Sequence, residues 1–165
     1  MIDQYIRRHG KRLYGLCMTL CANSFDADDL YQDTWMKAVK CFSQYDPTQP
    51  FEPWLTKICV NTYRNGLRRI LKSPVFNGFE SDEEKTMVLE NAPAPEKEDY
   101  SDLHSAIDRL PEKLRLTVIL FYFRDTDTEE AAKVLGIPPG TVKSRLNKAR
   151  KLLKEALTDG SNIRF

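Results

Sequence analysis

Between residues 138 and 155 stand six Lys/Arg and one acid. Pro139, Gly140, Thr141, Lys143, Ser144, Arg145, Asn147 and Lys148 fall in this stretch. Its cations suit phosphate oxygens, and its hydroxyls and amide suit base edges. A second group runs from Trp54 to Arg69, where Asn61, Tyr63 and Asn65 mix with Arg64, Arg68 and Arg69, and Lys72 follows. Rings among cations can stack on unpaired bases and neutralise their backbone; the plainer reading places Trp54 in a core. A third group is acidic, Asp28-Asp-Leu-Tyr-Gln-Asp-Thr-Trp35. Carboxylates there serve a helix dipole first, and a partner surface only with further support. Catalysis finds little: no Gly-rich phosphate loop, no HExxH and no zinc spacing, with paired carboxylates only at caps or in a polar connector. Cys17, Cys21, Cys41 and Cys59 form no C-x-x-C. Cys17 and Cys21 share a helix face with Leu13, Leu16 and Leu20, which reads as buried thiols in a reducing compartment, with a metal or redox site as the alternative. His9 and His104 have no ligand-spaced partner.

The elements that carry these groups read as helices. Ile2, Ile6, Leu13, Leu16, Cys17, Leu20 and Cys21 follow a helical period. Asn23, Ser24 and Asp26 break it, and Asp26 is the expected N-cap of the next helix. That helix shows Leu30, Thr34, Ala38, Cys41, Phe42 and Tyr45 on one side and stops at Asp46-Pro47 and Pro50. A third is expected from near Pro53, with Leu55, Ile58, Cys59, Thr62 and Leu67 inward. After residue 102, Leu103, Ile107 and Leu110 lead into Pro111, and Leu114, Val118 and Phe121 share a face ending near Arg124-Asp125. Asp127 with Glu130 starts a short helix to Leu135, closed by Gly136. Pro138-Pro139 then opens another, with Val142, Leu146, Ala149 and Leu153 inside and Lys143, Asn147, Arg150 and Lys154 outside. A short helix, a tight turn and a longer basic helix make the helix-turn-helix pattern of DNA binders.

Composition agrees with two soluble helical units. The 165 residues are 41% hydrophobic and 30% charged, with a net charge of +1. Residues 1–74 hold 11 Lys/Arg against 7 Asp/Glu, residues 75–102 hold 2 against 9, and residues 103–165 hold 12 against 8. Two basic blocks flanking an acidic bridge suggest a shared polyanionic partner. The bridge, with its Ala-Pro pairs, reads as a flexible acidic linker. No apolar run is long enough to span a membrane and the N-terminus has no secretory h-region. No direct membrane insertion and a cytoplasmic location are therefore expected.

Four stretches, in order, resemble one family. Asp26-Ala-Asp-Asp-Leu-Tyr-Gln-Asp-Thr-Trp35, Phe51-Glu-Pro-Trp-Leu-Thr-Lys-Ile-Cys-Val-Asn61, Leu110-Pro-Glu-Lys-Leu-Arg115 and Gly136-Ile-Pro-Pro-Gly-Thr-Val-Lys-Ser-Arg-Leu-Asn-Lys-Ala-Arg150 are similar to the signatures of extracytoplasmic-function (ECF) sigma factors, the small two-domain class of the sigma-70 superfamily. The resemblance implies an all-α protein: a region 2 helical bundle over 1–74, an acidic linker over 75–101, and a region 4 helix-turn-helix over 102–160.

It also implies roles. Asp29, Leu30, Gln32, Asp33 and Trp35 would bind the β′ clamp helices of core RNA polymerase, with the β flap as a further contact of the protein. Asn61, Arg64, Asn65, Arg68 and Arg69, with the loop around Gln44–Pro53, would read and melt the single-stranded −10 element. Pro139, Gly140, Thr141, Lys143, Ser144, Arg145, Asn147 and Lys148 would read the double-stranded −35 element. No cofactor or metal is implied and the chemistry belongs to the polymerase; an anti-sigma factor is a common partner of the class. Departures exist. Asn65 stands where the family often has Asp, Gly66 follows it in mid-helix, and Thr126 and Ala131 replace larger apolar residues. Two other readings stay open from the residues alone: a polymerase-independent helix-turn-helix repressor, and an interaction module whose cysteines bind metal.

Overall fold

Asn23 decides where the first unit's second helix begins. In a computed structural model, which describes residues 1–72, 102–123 and 126–159, its Oδ1 accepts from the Asp26 amide at 2.8 Å while its Nδ2 donates to the Asp26 carboxylate at 3.0 Å. Helix α2 is Ser24–Cys41, after α1 at Ile2–Leu20. The expected Asp26 cap is thus corrected: Asn23 is an equally good capping residue lying three earlier, and Asp26 becomes its first-turn partner. A short 3-10 turn, Phe42–Gln44, ends this helix. Helix α3 is Phe51–Leu71, two residues earlier than Pro53 suggested, because a first-turn proline lacks only an amide that needs no partner.

The chain divides into two compact units, Met1–Lys72 and Ser73–Phe165. In the first, three helices bury Leu13, Leu16, Cys17 and Leu20 of α1, Ala27, Leu30, Thr34, Trp35 and Ala38 of α2, and Phe51, Leu55, Cys59 and Val60 of α3. The buried threonines satisfy their hydroxyls within their own helices, as Thr34 does on the Leu30 carbonyl at 2.7 Å. Gly10 lets α1 and α2 meet: an added Cβ would lie 2.9 Å from the Tyr31 hydroxyl. Cys17 and Cys59 bring their sulfurs to 3.9 Å within this core, and all four cysteines are free thiols. Among the described residues no group of three His, Cys, Asp or Glu is arranged to hold a metal.

The second unit is built from α4 (Asp102–Asp108), α5 (Glu112–Val118), α6 (Thr128–Leu135) and α7 (Pro139–Asp159). A π turn, Ile119–Phe123, continues α5, a feature the apolar spacing did not announce. The core gathers Ile107, Leu110, Leu114, Leu116, Val118, Ile119, Leu120, Ala131, Ala132, Val134, Leu135, Val142, Leu146, Ala149 and Leu157. Ala131 is fully buried, so the packing closes around its small side chain. Leu103 stays exposed rather than joining the core, and Leu153 is half-buried. Arg115 is buried with its guanidinium 3.5 Å from the Asp108 carboxylate and 3.4 Å from Glu112. Pairing is what permits a charge inside so small a unit.

Asp127 caps α6 by accepting from the Glu130 amide at 2.7 Å. Gly136 ends the helix at φ 68°, ψ 35°, and the Ile137 amide reaches back to the Ala132 carbonyl. Only a residue without Cβ takes that left-handed geometry without strain, and the sharp turn it makes sets α7 off from α6. The expected linker over 75–101 lies outside the described residues. Among the described residues there is no strand, and no helix is long and apolar enough to cross a membrane.

Candidate nucleic-acid interfaces

Helix α7 separates its faces cleanly. Val142, Leu146 and Ala149 are buried, while Pro139, Gly140, Lys143, Ser144, Asn147 and Lys148 are exposed and Thr141 and Arg145 half-buried. Pro138 supplies the carbonyl that accepts from the Thr141 and Val142 amides, so the helix starts in register with the preceding turn. Ser144 spends its proton on the Thr141 carbonyl at 3.1 Å, which leaves its oxygen as an acceptor toward solvent. The Arg145 Nη1 is buried with no hydrogen-bond partner among the described residues. A Cβ on Gly140 would meet nothing within 4 Å, so the fold itself does not demand glycine there. All eight sequence-predicted residues of this helix therefore lie at or beside its outer N-terminal half, where helix amides and cations favour phosphate.

In the first unit, α3 places Asn61, Arg64, Asn65 and Arg68 three or four residues apart on one helix face, with Arg69 beside them. Asn61, Asn65, Arg68 and Arg69 are exposed and Arg64 is half-buried. A Cβ at Gly66 would also meet open space, so the glycine is no packing requirement.

The loop before this helix is held by its own bonds. Tyr45 donates its hydroxyl to the Gln49 carbonyl at 2.5 Å, and Asp46 accepts from the Thr48 amide at 2.9 Å and hydroxyl at 2.7 Å. The Thr48 hydroxyl and then its amide hold the Asp46 carboxyl below its ordinary range. Burial, and then the nearby Tyr5 and Asp46, push Tyr45 up. Trp54, read as core, is half-buried, its ring 5.1 Å from Tyr45 and 5.3 Å from Phe51. Tyr5, packed 4.3 Å from Phe51, completes an aromatic cluster beneath the loop.

The acidic stretch splits in two. Asp29, Gln32 and Asp33 are exposed on the outer face of α2. Leu30 and Trp35 are each 7% exposed and face the bundle, Trp35 stacking 6.4 Å from Phe51. Of the five residues expected at the polymerase contact, these two are therefore largely buried, and the exposed part of the stretch is Asp29, Gln32 and Asp33. The sequence reading missed three exposed apolar residues of α2, Phe25, Met36 and Val39. Counting four residues on from Gln32 and three on from Asp33 finds Met36, the signal that was available. Near them, Tyr14 donates to Asp28 at 2.8 Å, and that bond, then burial, raises the Tyr14 pKa.

Comparison with known proteins finds one family match in each half of the chain. The Sigma-70 region 2 family matches residues 5–72, and the Sigma-70, region 4 family matches residues 100–153. The chain is 31% identical to the ECF RNA polymerase sigma factor SigE of Mycolicibacterium smegmatis over 97% of its own length, spanning 63% of that protein. It is 33% identical to the RNA polymerase sigma factor SigV of Bacillus subtilis, over 93% of this chain and 89% of that one. To the ECF sigma factor SigM of Mycobacterium tuberculosis it is 30% identical, over 98% and 81%. Among solved structures, it matches the sigma factor RpoE in complex with the anti-sigma factor NepR from Bartonella quintana with a TM-score of 0.74, at 25% identity over 96% of this chain and 98% of that one. It matches CnrH in complex with the cytosolic domain of CnrY with a TM-score of 0.66, at 26% identity over 98% and 89%. Both modules in order, an exposed basic helix-turn-helix and full-length relatives at this identity make the chain a member of the ECF sigma factors of the sigma-70 superfamily, transcription initiation factors that direct RNA polymerase to promoters.

Proposed function

We propose that the chain divides its work among three helices. The outer face of α2, with Asp29, Gln32 and Asp33 among the exposed Phe25, Met36 and Val39, docks on the β′ clamp helices of core RNA polymerase. The face of α3 carrying Asn61, Arg64, Asn65, Arg68 and Arg69, with the loop before it, takes the −10 strand as it opens. The N-terminal half of α7, Pro139 to Lys148, reads the −35 duplex in the major groove. Residues 1–74 then act as region 2, 75–101 as the tether and 102–160 as region 4, with the β flap holding the second unit. The chain performs no chemistry of its own; nucleotidyl transfer stays with the polymerase, in the cytoplasm.

One observation carries the reading. In a single small bundle, the exposed acids of α2 and the exposed cations and amides of α3 occupy different helices, while Leu30 and Trp35 between them are buried. A carboxylate surface suits a protein partner and repels DNA; a cation and amide surface does the opposite. Two modest DNA sites on one chain gain from being held together on the polymerase, because the second contact becomes intramolecular. Free chain therefore binds duplex promoter DNA weakly. The complexes of RpoE with NepR and CnrH with CnrY support an anti-sigma partner for this chain as well.

Separation of function tests the proposal. Lys143→Ala and Arg145→Ala should weaken −35-dependent transcription and leave polymerase binding intact. Asp33→Ala should weaken polymerase binding and leave the DNA-facing helices folded. The same defect in all three variants would refute the division.

A further inference from the structure

We infer that Tyr122, with Arg150, forms a contact for one DNA backbone phosphate beside the groove-reading end of α7. The inference rests on the reading of α7 as the −35 helix and adds a site outside the family signature's base-facing residues.

Tyr122 lies in the π turn Ile119–Phe123 that extends α5. A π turn carries an extra residue, which shifts the faces of the residues within it and is frequent at functional positions. The Thr126 hydroxyl donates to the Leu120 carbonyl near the end of the turn. The Tyr122 ring stands edge-on to Phe121 at 5.0 Å and is half exposed, at 51%. Across from it, Arg150 on α7 donates Nε–H at 2.8 Å and Nη2–H at 2.5 Å to the same phenolic oxygen. Arg150 also points Nη1 at the Asn147 Oδ1, at 3.4 Å.

The chemistry of that fork is one-sided. A phenolic oxygen has two lone pairs and one proton. Two guanidinium donors fill both lone pairs, so the proton must leave the pair, and among the described residues it has no acceptor. Beyond its contact with Asn147, Arg150 keeps further N–H groups for which the described residues supply no acceptor. Everything presented outward is a donor next to a positive charge, and its natural partner is an acceptor-only anion. Position selects which anion. Asn147 and Arg150 continue the exposed row begun by Lys143 and extended by Lys154 on α7. Arg150 stands seven residues beyond Lys143, about 10 Å along the helix at 1.5 Å per residue. In the proposed docking of α7, that lies past the end that enters the groove, where a recognition helix leaves the groove toward the flanking sugar–phosphate backbone. Tyr122 fixes the rotamer of a long flexible cation, so less freedom is lost when the phosphate arrives.

The test uses the full chain assembled with core polymerase. The probe is a duplex that wild-type holoenzyme selects from a randomised library, with each phosphate in turn replaced by an uncharged methylphosphonate. In wild type, one position flanking the −35 bases should weaken binding when neutralised. Tyr122→Phe keeps the ring on Phe121 and should lose about two- to tenfold in affinity, the range of one neutral hydrogen bond. Arg150→Ala should lose more, become indifferent to that one phosphate, and show a log–log salt slope smaller by about 0.9. Base preference should not change in either variant. Should Arg150→Ala fail to fold, Tyr122→Phe carries the test alone through the same phosphate scan. Wild-type scans in both variants overturn the inference. Lys143→Ala run in parallel separates the two levels: if it loses −35-dependent affinity while the Tyr122 and Arg150 variants keep the wild-type scan, only the phosphate contact is wrong. If none of the three changes binding, the reading of α7 fails with it.

Discussion

Trp35 offers the sharpest test of the line between positioning and contact. The residue sits in a family signature tied to polymerase binding, yet its indole is 7% exposed, near Tyr31 at 6.3 Å and Phe51 at 6.4 Å. Its Nε1 is buried with no hydrogen-bond partner among the described residues. Truncating a buried aromatic to alanine costs about 3–5 kcal/mol. A unit the size of Met1–Lys72 has about 4–11 kcal/mol in total, at about 0.05–0.15 kcal/mol per residue. Trp35→Ala therefore removes much of the first unit's stability. Trp35→Phe loses volume but also removes a buried donor whose burial costs about 1–3 kcal/mol. The two effects oppose, and the net change should stay within about 1 kcal/mol. Asp33→Ala, on the exposed face, should move stability by no more than about 0.5 kcal/mol.

Urea unfolding read by tryptophan fluorescence measures this directly. Both tryptophans, Trp35 and Trp54, lie in the first unit, so the signal reports that unit alone, and Trp54 remains as the probe in the variants. Polymerase binding is then measured by co-purification. The expected pattern is a large fall in midpoint for Trp35→Ala, near wild-type melting and binding for Trp35→Phe, and near wild-type melting with weakened binding for Asp33→Ala. A Trp35→Ala variant that melts like wild type but no longer binds polymerase would show that the ring is a contact and refute the argument.

Two further outcomes follow from local geometry. Gly140→Ala adds a methyl into open space on a helix and should stabilise the second unit by up to about 1 kcal/mol, while weakening duplex binding if the N-terminal end of α7 docks on DNA as proposed; a variant that gains both melting temperature and affinity contradicts that docking. Asp46 has a folded pKa below its unfolded value, so its bonds to Thr48 support the loop above the ordinary carboxylate range and are lost as pH falls through the folded value. Thr48→Val should raise the Asp46 titration midpoint by NMR, and an unmoved midpoint would mean the hydroxyl bond is not what depresses it.

The faces of the helices were readable because apolar spacing maps directly onto burial. Val142, Leu146 and Ala149 fell inside α7, and Lys143, Asn147 and Arg150 outside. Gly136 and Asp127 named the ends of α6 because a left-handed stop and an amide-accepting cap have few residue solutions. The start of α2 was misplaced because two good caps, Asn23 and Asp26, stand three residues apart and only backbone geometry chooses between them. The burial of Leu30 and Trp35 was not legible because a motif does not say which of its residues face the bundle. Tyr122 was missed because a π turn breaks the 3.6 period on which face assignment depends, and because its partner Arg150 lies 28 residues away in the chain. The aromatic cluster beneath the 45–50 loop joins Tyr5 to Tyr45, Phe51 and Trp54, a long-range arrangement no local pattern encodes.

The central claim is that this chain tells a polymerase where to begin. Run-off transcription with purified core RNA polymerase on a genomic fragment library, with and without the full chain, measures it most directly. Discrete transcripts from defined start sites should appear only when the chain is added, and should weaken with Asp33→Ala. Identical transcript sets in the presence and absence of the chain would contradict it.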